Sequence, residues 1–277
     1  MAHIETTFAA PSGANIYYQA WRPEQPRAII LIAHGLAEHS ARYSAFAEFF
    51  NRHGYAVAAL DHPGHGRSDG RTGYIDRFDD YLDTFKAFHA RIAREHPGLP
   101  MILLGHSMGG LIAASYVLKE QRDFCACVLS GPAVRSDAQP PAWQLAILRL
   151  VARFAPRFGV LKLDAAGVSR DEQVVTHYLA DPMVYTGKIS ARLVVEMFDA
   201  MQRLEQQAQN ISLPLLLLHG GDDKLTAPEG SRLLCEWVCS ADKQVKIYPG
   251  LYHEIFNEPE REQVMQDVLE WCDARLP

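Results

Sequence analysis

Ser107 lies at the centre of Gly105-His106-Ser107-Met108-Gly109, behind the apolar run Met101 to Leu104 and ahead of a helix-forming stretch from Leu111 to Leu118. A strand that turns sharply into a helix at G-x-S-x-G presents the central hydroxyl at the tip of a crowded elbow, where a Cβ on either flanking residue would obstruct the backbone. Such a hydroxyl can attack a carbonyl carbon. Serine alone is a weak nucleophile near neutral pH, so it needs a base within hydrogen-bond reach and a third group that orients the base.

With a strand-to-helix elbow the expected order along the chain is serine, then acid, then histidine, which confines the search to residues beyond Ser107. Leu213 to His219 reads as a buried strand, and Gly220, Gly221, Asp222, Asp223 and Lys224 form the loop at its carboxyl end. Asp222 and Asp223 are adjacent, and only one of them can face an imidazole. Further on, Gln244 to Tyr248 alternates as a strand, Pro249 and Gly250 break it, and His253 follows at once. His253 is therefore the expected base.

The chain holds twelve histidines, so the others need an account. His34, His39, His62 and His65 precede the nucleophile, and His106 is inside the elbow. His89 and His96 fall on an expected surface helix, and His177 lies in the segment between the two halves of the strand pattern. His219 ends a strand and reads as a satisfied structural imidazole. An acyl-transfer intermediate also needs donors for its oxyanion. The backbone N–H of Met108, at a helix N-terminus, is one expectation, and the N–H of Leu36, in the loop behind the strand Ala28 to Ala33, is the other.

Five stretches carry a resemblance in order over nearly the full length: H-G-L-A-E-H-S-A-R-Y (34–43), D-H-P-G-H-G-R-S-D-G (61–70), G-H-S-M-G-G (105–110), H-G-G-D-D-K-L (219–225) and Y-H-E-I-F-N-E-P-E (252–260). Together they resemble the monoacylglycerol lipases of the α/β-hydrolase superfamily. The resemblance implies a triad of Ser107, Asp223 and His253, and it is what selects Asp223 over Asp222. It implies hydrolysis of monoacylglycerol to fatty acid and glycerol through an acyl-enzyme, with no cofactor and no metal. A lysophospholipase or broad carboxylesterase on the same scaffold is the nearest alternative, because a triad specifies only ester attack. A catalytically silent binding protein is the alternative from another class. Two departures stand out. Ala37 occupies a place where glycine is common in the family's loop, and Phe256 stands where some members carry a histidine that helps to hold glycerol. Glu38 and Arg42 match the family's loop and are candidates either for shaping the glycerol end or for bracing the loop.

These groups must be positioned by a sheet. Apolar runs at 28–33, 56–60, 101–104, 125–129, 215–218 and 245–248 alternate with helical patterns, which implies an α/β protein whose sheet is mostly parallel and whose site lies beyond the carboxyl ends of the strands. A chain of 277 residues suits one such sheet with an insertion. The net charge of −6 argues against nucleic-acid binding. The first residues, M-A-H-I-E-T-T-F, have no basic n-region or apolar core, and no stretch has the length of a membrane span. Cys125, Cys127, Cys235, Cys239 and Cys272 are odd in number and lack a zinc-ligand framework. They read as reduced thiols of a cytoplasmic protein, with Cys125 and Cys127 alternating along a strand and Cys235 and Cys239 one helical turn apart.

Between Leu129 and Leu215 the strand pattern lapses. Gly131, Pro132, Pro140 and Pro141 punctuate its start, and Asn210 and Pro214 mark its end. The expectation is a hydrolase core formed by 1–132 and 211–277, with a helical cap over 133–210. Within the cap, Trp143 to Phe154 is dense in large apolar residues and includes Arg149 and Arg153, with Arg157 and Lys162 beyond. This helix is expected either to line an acyl channel through Ile147 and Leu148, to touch an anionic lipid surface, or simply to pack the cap onto the core.

Overall fold

The computed structural model describes residues 2–135 and 141–277. Residues 136–140, which include Pro140 at the expected cap entrance, lie outside the described residues. The strands are β1 (Ala2–Ala9), β2 (Asn15–Arg22), β3 (Ala28–Ala33), β4 (Tyr55–Leu60), β5 (Met101–His106), β6 (Ala126–Ser130), β7 (Gly159–Leu161), β8 (Ile189–Ser190), β9 (Leu215–Gly220) and β10 (Lys243–Tyr248). The helices are α1 (Ser44–Arg52), α2 (Asp79–Glu95), α3 (Met108–Glu120), α4 (Ala142–Phe154), α5 (Glu172–Ala180), α6 (Ala191–Gln207), α7 (Pro228–Trp237) and α8 (Arg261–Asp273).

Eight strands form one sheet in the order β1-β2-β4-β3-β5-β6-β9-β10. From β4 to β10 every neighbouring pair is parallel. The antiparallel hairpin β1-β2, which extends the sheet beyond β4, is absent from the strand pattern read above because its burial is uneven and its outer strand is largely exposed. The central strands read as continuous apolar runs because both faces are covered. Alternate residues serve opposite cores. Ile29, Leu31, Leu103, Leu129 and Leu217 face one, whereas Ile30, Ile32, Leu104, Val128 and Leu218 face the other. Helices α2, α3 and α7 pack on the first face, and α1 and α8 on the second.

The chain leaves β6 at Ser130 and re-enters the sheet at Leu215 beside it. The intervening described residues carry α4, α5, α6 and the small ladder of β7 with β8. Helix α6 joins this segment to the core through Leu193, Ala200 and Leu204, and α4 rests on α6 through Leu148, Val151 and Ala152. No helix among the described residues is long and apolar enough to cross a membrane.

Three local expectations are corrected. His89 does not sit on a solvent-facing surface: it is buried, with Nδ1 2.9 Å from the Tyr116 hydroxyl, because α2 turns that side towards α3 and Phe124. Cys125 precedes β6 rather than belonging to it. Cys239 lies past the end of α7, exposed, so it is not one helical turn along from Cys235. All five cysteines are free thiols.

Candidate active site

Ser107 occupies the elbow between β5 and α3 with φ 55° and ψ −120°, a left-handed backbone that a non-glycine residue holds only when its surroundings force it. The flanking glycines are what permit it. A Cβ on Gly105 would stand 2.4 Å from the Gly109 carbonyl oxygen, and one on Gly109 would stand 2.0 Å from that of Ala33. The elbow is tied down by Ser107 N–H donating to Ser130 O at 3.0 Å and by Ala133 N–H donating to Ser107 O at 2.9 Å.

The other two expected members converge from separate loops. His253 Nδ1 donates to Asp223 Oδ2 at 2.7 Å, and Asp223 is fixed in turn by the N–H groups of Leu225 (2.7 Å) and Thr226 (3.0 Å) on Oδ1. Asp222 is exposed. Ser107 and His253 line the same cavity, and neither the Ser107 hydroxyl nor Nε2 of His253 has a hydrogen-bond partner among the described residues. Both therefore remain open to a substrate; catalytic hydrogen bonds are often loose before substrate binds.

Burial opposes charge on His253, but the Asp223 carboxylate and its hydrogen bond, with Glu254 and Glu38 behind, outweigh it and leave the imidazole pKa above the ordinary value. Burial likewise opposes charge on Asp223, yet His253 and the donors around it hold its carboxyl far below the usual range. His106, whose ring centroid is 4.7 Å from that of His253, is pushed down to about 4 by burial and by its charged neighbour, and its Nδ1 is taken by Ser130 O. It stays neutral beside the base and does not compete for protons.

The loop after β3 stands opposite the elbow. The N–H groups of Leu36 and Met108 donate to no described residue. Glu38 sets this loop: it accepts from Gly35 N–H (2.6 Å), the Tyr43 hydroxyl (2.9 Å) and Arg42 (2.9 Å). Although burial works against it, Arg42, His106 and His34 bring the Glu38 carboxyl to about 2. Arg42 also grips Glu254, the residue after the expected base, through both guanidinium ends, and its face lies 4.7 Å from the Tyr178 ring on α5. One arginine thus ties together the loop after β3, the histidine loop and the inserted segment.

The cavity that contains Ser107 has a volume of about 160 Å³. Glu38, His106, His253 and Glu254 make its polar end, and Leu161, Leu163, Val194, Met197, Phe198 and Met201 make an apolar wall. Glu38 and Arg42 also border a smaller adjoining pocket with Phe46, Phe256 and Asn257. Ile147 and Leu148 are not part of either wall. Ile147 is 54% exposed on the outer side of α4, and Leu148 packs on the cluster of Ala152, Ala191 and Val195. The wall comes instead from α6, whose Val194, Met197, Phe198 and Met201 follow the i, i+3, i+4, i+7 spacing of a helix face. That signal was present in the sequence; what it lacked was any indication of which of the two helices lies nearer the serine. Tyr178 and Thr226 were also missed, and only their neighbours in space mark them out.

A doubly covered parallel sheet, a serine elbow at a strand's carboxyl end and an acid-held imidazole in a later loop define a serine hydrolase of the α/β-hydrolase fold. The model of the family described as serine aminopeptidase, S33, matches residues 24–260. A monoacylglycerol lipase of Mycolicibacterium smegmatis is 42% identical over 273 residues, which covers 98% of each chain. The human monoglyceride lipase is 30% identical over 95% of this chain and 88% of its own length. The crystal structure of a Paleococcus ferrophilus monoacylglycerol lipase, 32% identical, superposes with a TM-score of 0.85 over 94% of this chain and 99% of that one. The chain belongs to this family of serine hydrolases and, within it, to the monoacylglycerol lipases.

Proposed function

We propose that the protein hydrolyses monoacylglycerols to fatty acid and glycerol, with Ser107 as nucleophile, His253 as base and then acid, and Asp223 as the group that orients and charges the pair. The observation that carries this reading is that Ser107 and the Asp223-held His253 open onto one cavity whose far wall is apolar and whose near end is polar. In the first half-reaction Ser107 attacks the ester carbonyl while Nε2 of His253 takes the hydroxyl proton. The tetrahedral oxyanion accepts hydrogen bonds from the N–H groups of Leu36 and Met108. Collapse breaks the ester C–O bond as the imidazolium protonates the departing glycerol oxygen. Water then repeats the sequence on the acyl-enzyme and releases the fatty acid.

The acyl chain runs along α6, where each buried methylene contributes about 0.8 kcal/mol. The glycerol end faces Glu38 and the adjoining pocket with Arg42, while Phe256, buried edge-on against Phe46, offers no hydrogen bond there. The segment between β6 and β9 acts as a cap over this cavity. Its helix α4 turns Trp143, Ile147, Leu150 and Phe154 outward along one stripe, each more than half exposed, and this stripe meets the lipid surface from which substrate is drawn.

The test is a turnover panel of monoacylglycerols, lysophosphatidylcholine and short nitrophenyl esters, with Ser107→Ala as control. Preferred turnover of monoacylglycerol that is lost in the control supports the reading. Preference for the lysophospholipid, or equal rates on all esters, would replace it with a lysophospholipase or a general carboxylesterase. Absence of turnover and of a fluorophosphonate adduct at Ser107 in folded protein would make it a binding protein. Glu38→Gln should raise KM for monoacylglycerol more than for the nitrophenyl ester, which has no glycerol to place.

A further inference from the structure

Behind the cavity wall another buried imidazole touches Asp223 and takes no part in the proton transfers above. His219 ends β9 and is fully buried. Its Nε2 lies 3.0 Å from Asp223 Oδ2, the same oxygen that accepts from His253, and its Nδ1 lies 2.7 Å from the hydroxyl of Ser231 on α7, itself fully buried. The partners decide which nitrogen carries the proton. An ionised carboxylate can only accept, and so can the Thr226 carbonyl 3.2 Å from the same nitrogen, so Nε2 carries a hydrogen, while Nδ1 pairs with the Ser231 hydroxyl. A line of close polar contacts thus runs from Ser231 through His219 to Asp223 and on to His253.

We propose that His219 is a positioning residue for the triad, donating from Nε2 to Asp223 and drawing carboxylate charge away from His253, so that it sets how tightly the base holds its proton. The proposal rests on the reading of Ser107, Asp223 and His253 as the reacting set. The geometry separates this role from simple anchoring. Asp223 Oδ1 is already held by two main-chain N–H groups, those of Leu225 and Thr226, so the place of the carboxylate does not depend on His219. Its other oxygen accepts from His253 at 2.7 Å and from the Thr226 hydroxyl at 2.9 Å, and that hydroxyl can turn instead to Gly131 O at 3.1 Å. His219 faces this oxygen with Nε2 at 3.0 Å, nearer than the Thr226 carbonyl that the same nitrogen also reaches at 3.2 Å, and each donor on a carboxylate spreads its charge and weakens its pull on the proton across from it. A base that holds its proton too tightly is mostly protonated at neutral pH and cannot accept one from serine.

The other charges facing His253 are fixed by their own partners. Glu254 and Glu38 share Arg42, and the adjacent His106 is neutral. The same Nε2 of His219 also lies 3.2 Å from the carbonyl oxygen and 3.2 Å from the hydroxyl of Thr226, both uncharged. Asp223 is thus the charged group through which a change at His219 reaches His253.

The experiment is the pH dependence of kcat/KM, with kcat and KM resolved separately, in His219→Leu, His219→Gln and Ser231→Ala. Loss of the donor in His219→Leu should raise the acid limb by roughly half a unit or more and cut kcat on that limb by up to about threefold for each half unit, with KM nearly unchanged. His219→Gln keeps an N–H in reach and should restore the limb. Ser231→Ala removes the partner of Nδ1 that holds the ring towards Asp223 and should move the limb the same way by less. A folded His219→Leu protein with the parent's limb and kcat overturns the proposal, as does equal behaviour of the leucine and glutamine variants. Should His219→Leu fail to fold, an unmoved limb in Ser231→Ala overturns it. Turnover surviving in Ser107→Ala would instead sink the triad reading beneath it.

Discussion

Nδ1 of His253 stands 2.7 Å from Oδ2 of Asp223 in a pocket where burial alone would drive the imidazole towards neutrality. The carboxylate wins, and the base is left with a raised pKa. His253 must be neutral to accept the serine proton, so the acid limb of kcat/KM is expected above pH 6.5, the ordinary histidine value, with activity rising as pH rises through it. Asp223→Asn removes the charge but not the burial. The limb should then move down, while kcat falls by about four orders of magnitude because the amide favours the wrong tautomer. A pH-rate profile of both proteins checks this, and a limb that stays in place would mean that Asp223 does not govern the base.

The two apolar faces of the inserted helices should separate in function. Charging the outer stripe of α4 with Trp143→Glu and Phe154→Glu is expected to abolish co-sedimentation with anionic lipid vesicles and to leave turnover of a dissolved short ester within about twofold of the parent. Ile147→Gln should likewise leave kinetics on dispersed long-chain substrate unchanged, since Ile147 faces away from the cavity. Met201→Trp, which fills the wall behind Ser107, should depress long-chain turnover and spare acetate esters. Unchanged vesicle binding in the glutamate variant would show that α4 does not meet the membrane.

Ala37 holds φ 69° in the loop after β3, a left-handed backbone in which a Cβ costs about 1 kcal/mol. The resemblance had marked this place as one where glycine is common, and the backbone supplies the reason. Ala37→Gly should therefore raise stability by up to about 1 kcal/mol, a rise in Tm of roughly 2 to 4 °C for a chain of this size, whereas Ala37→Val should lower it. Calorimetry of the three proteins decides; a lower Tm for the glycine variant would mean that the loop is not strained.

Much of this site could be read before any coordinates. G-x-S-x-G between an apolar strand and a helix can hardly be anything but an elbow, because only glycine tolerates the approach of Gly109 to the Ala33 carbonyl. His253 was legible because it follows a strand-breaking Pro-Gly in a late loop. Of the two adjacent aspartates, residue types alone could not choose; resemblance chose Asp223, and the fold turns Asp222 to solvent.

What the chain determined locally was the order of elements and the chemistry carried at each strand end, since alternation, glycine and proline act over a few residues. Which helix would face the serine, that Arg42 would clasp Glu254 more than two hundred residues away, and that two histidines would share one carboxylate oxygen were decided only when the sheet brought distant strand ends to one rim. Those relations depend on packing across the fold, and packing leaves no periodicity in the sequence to read.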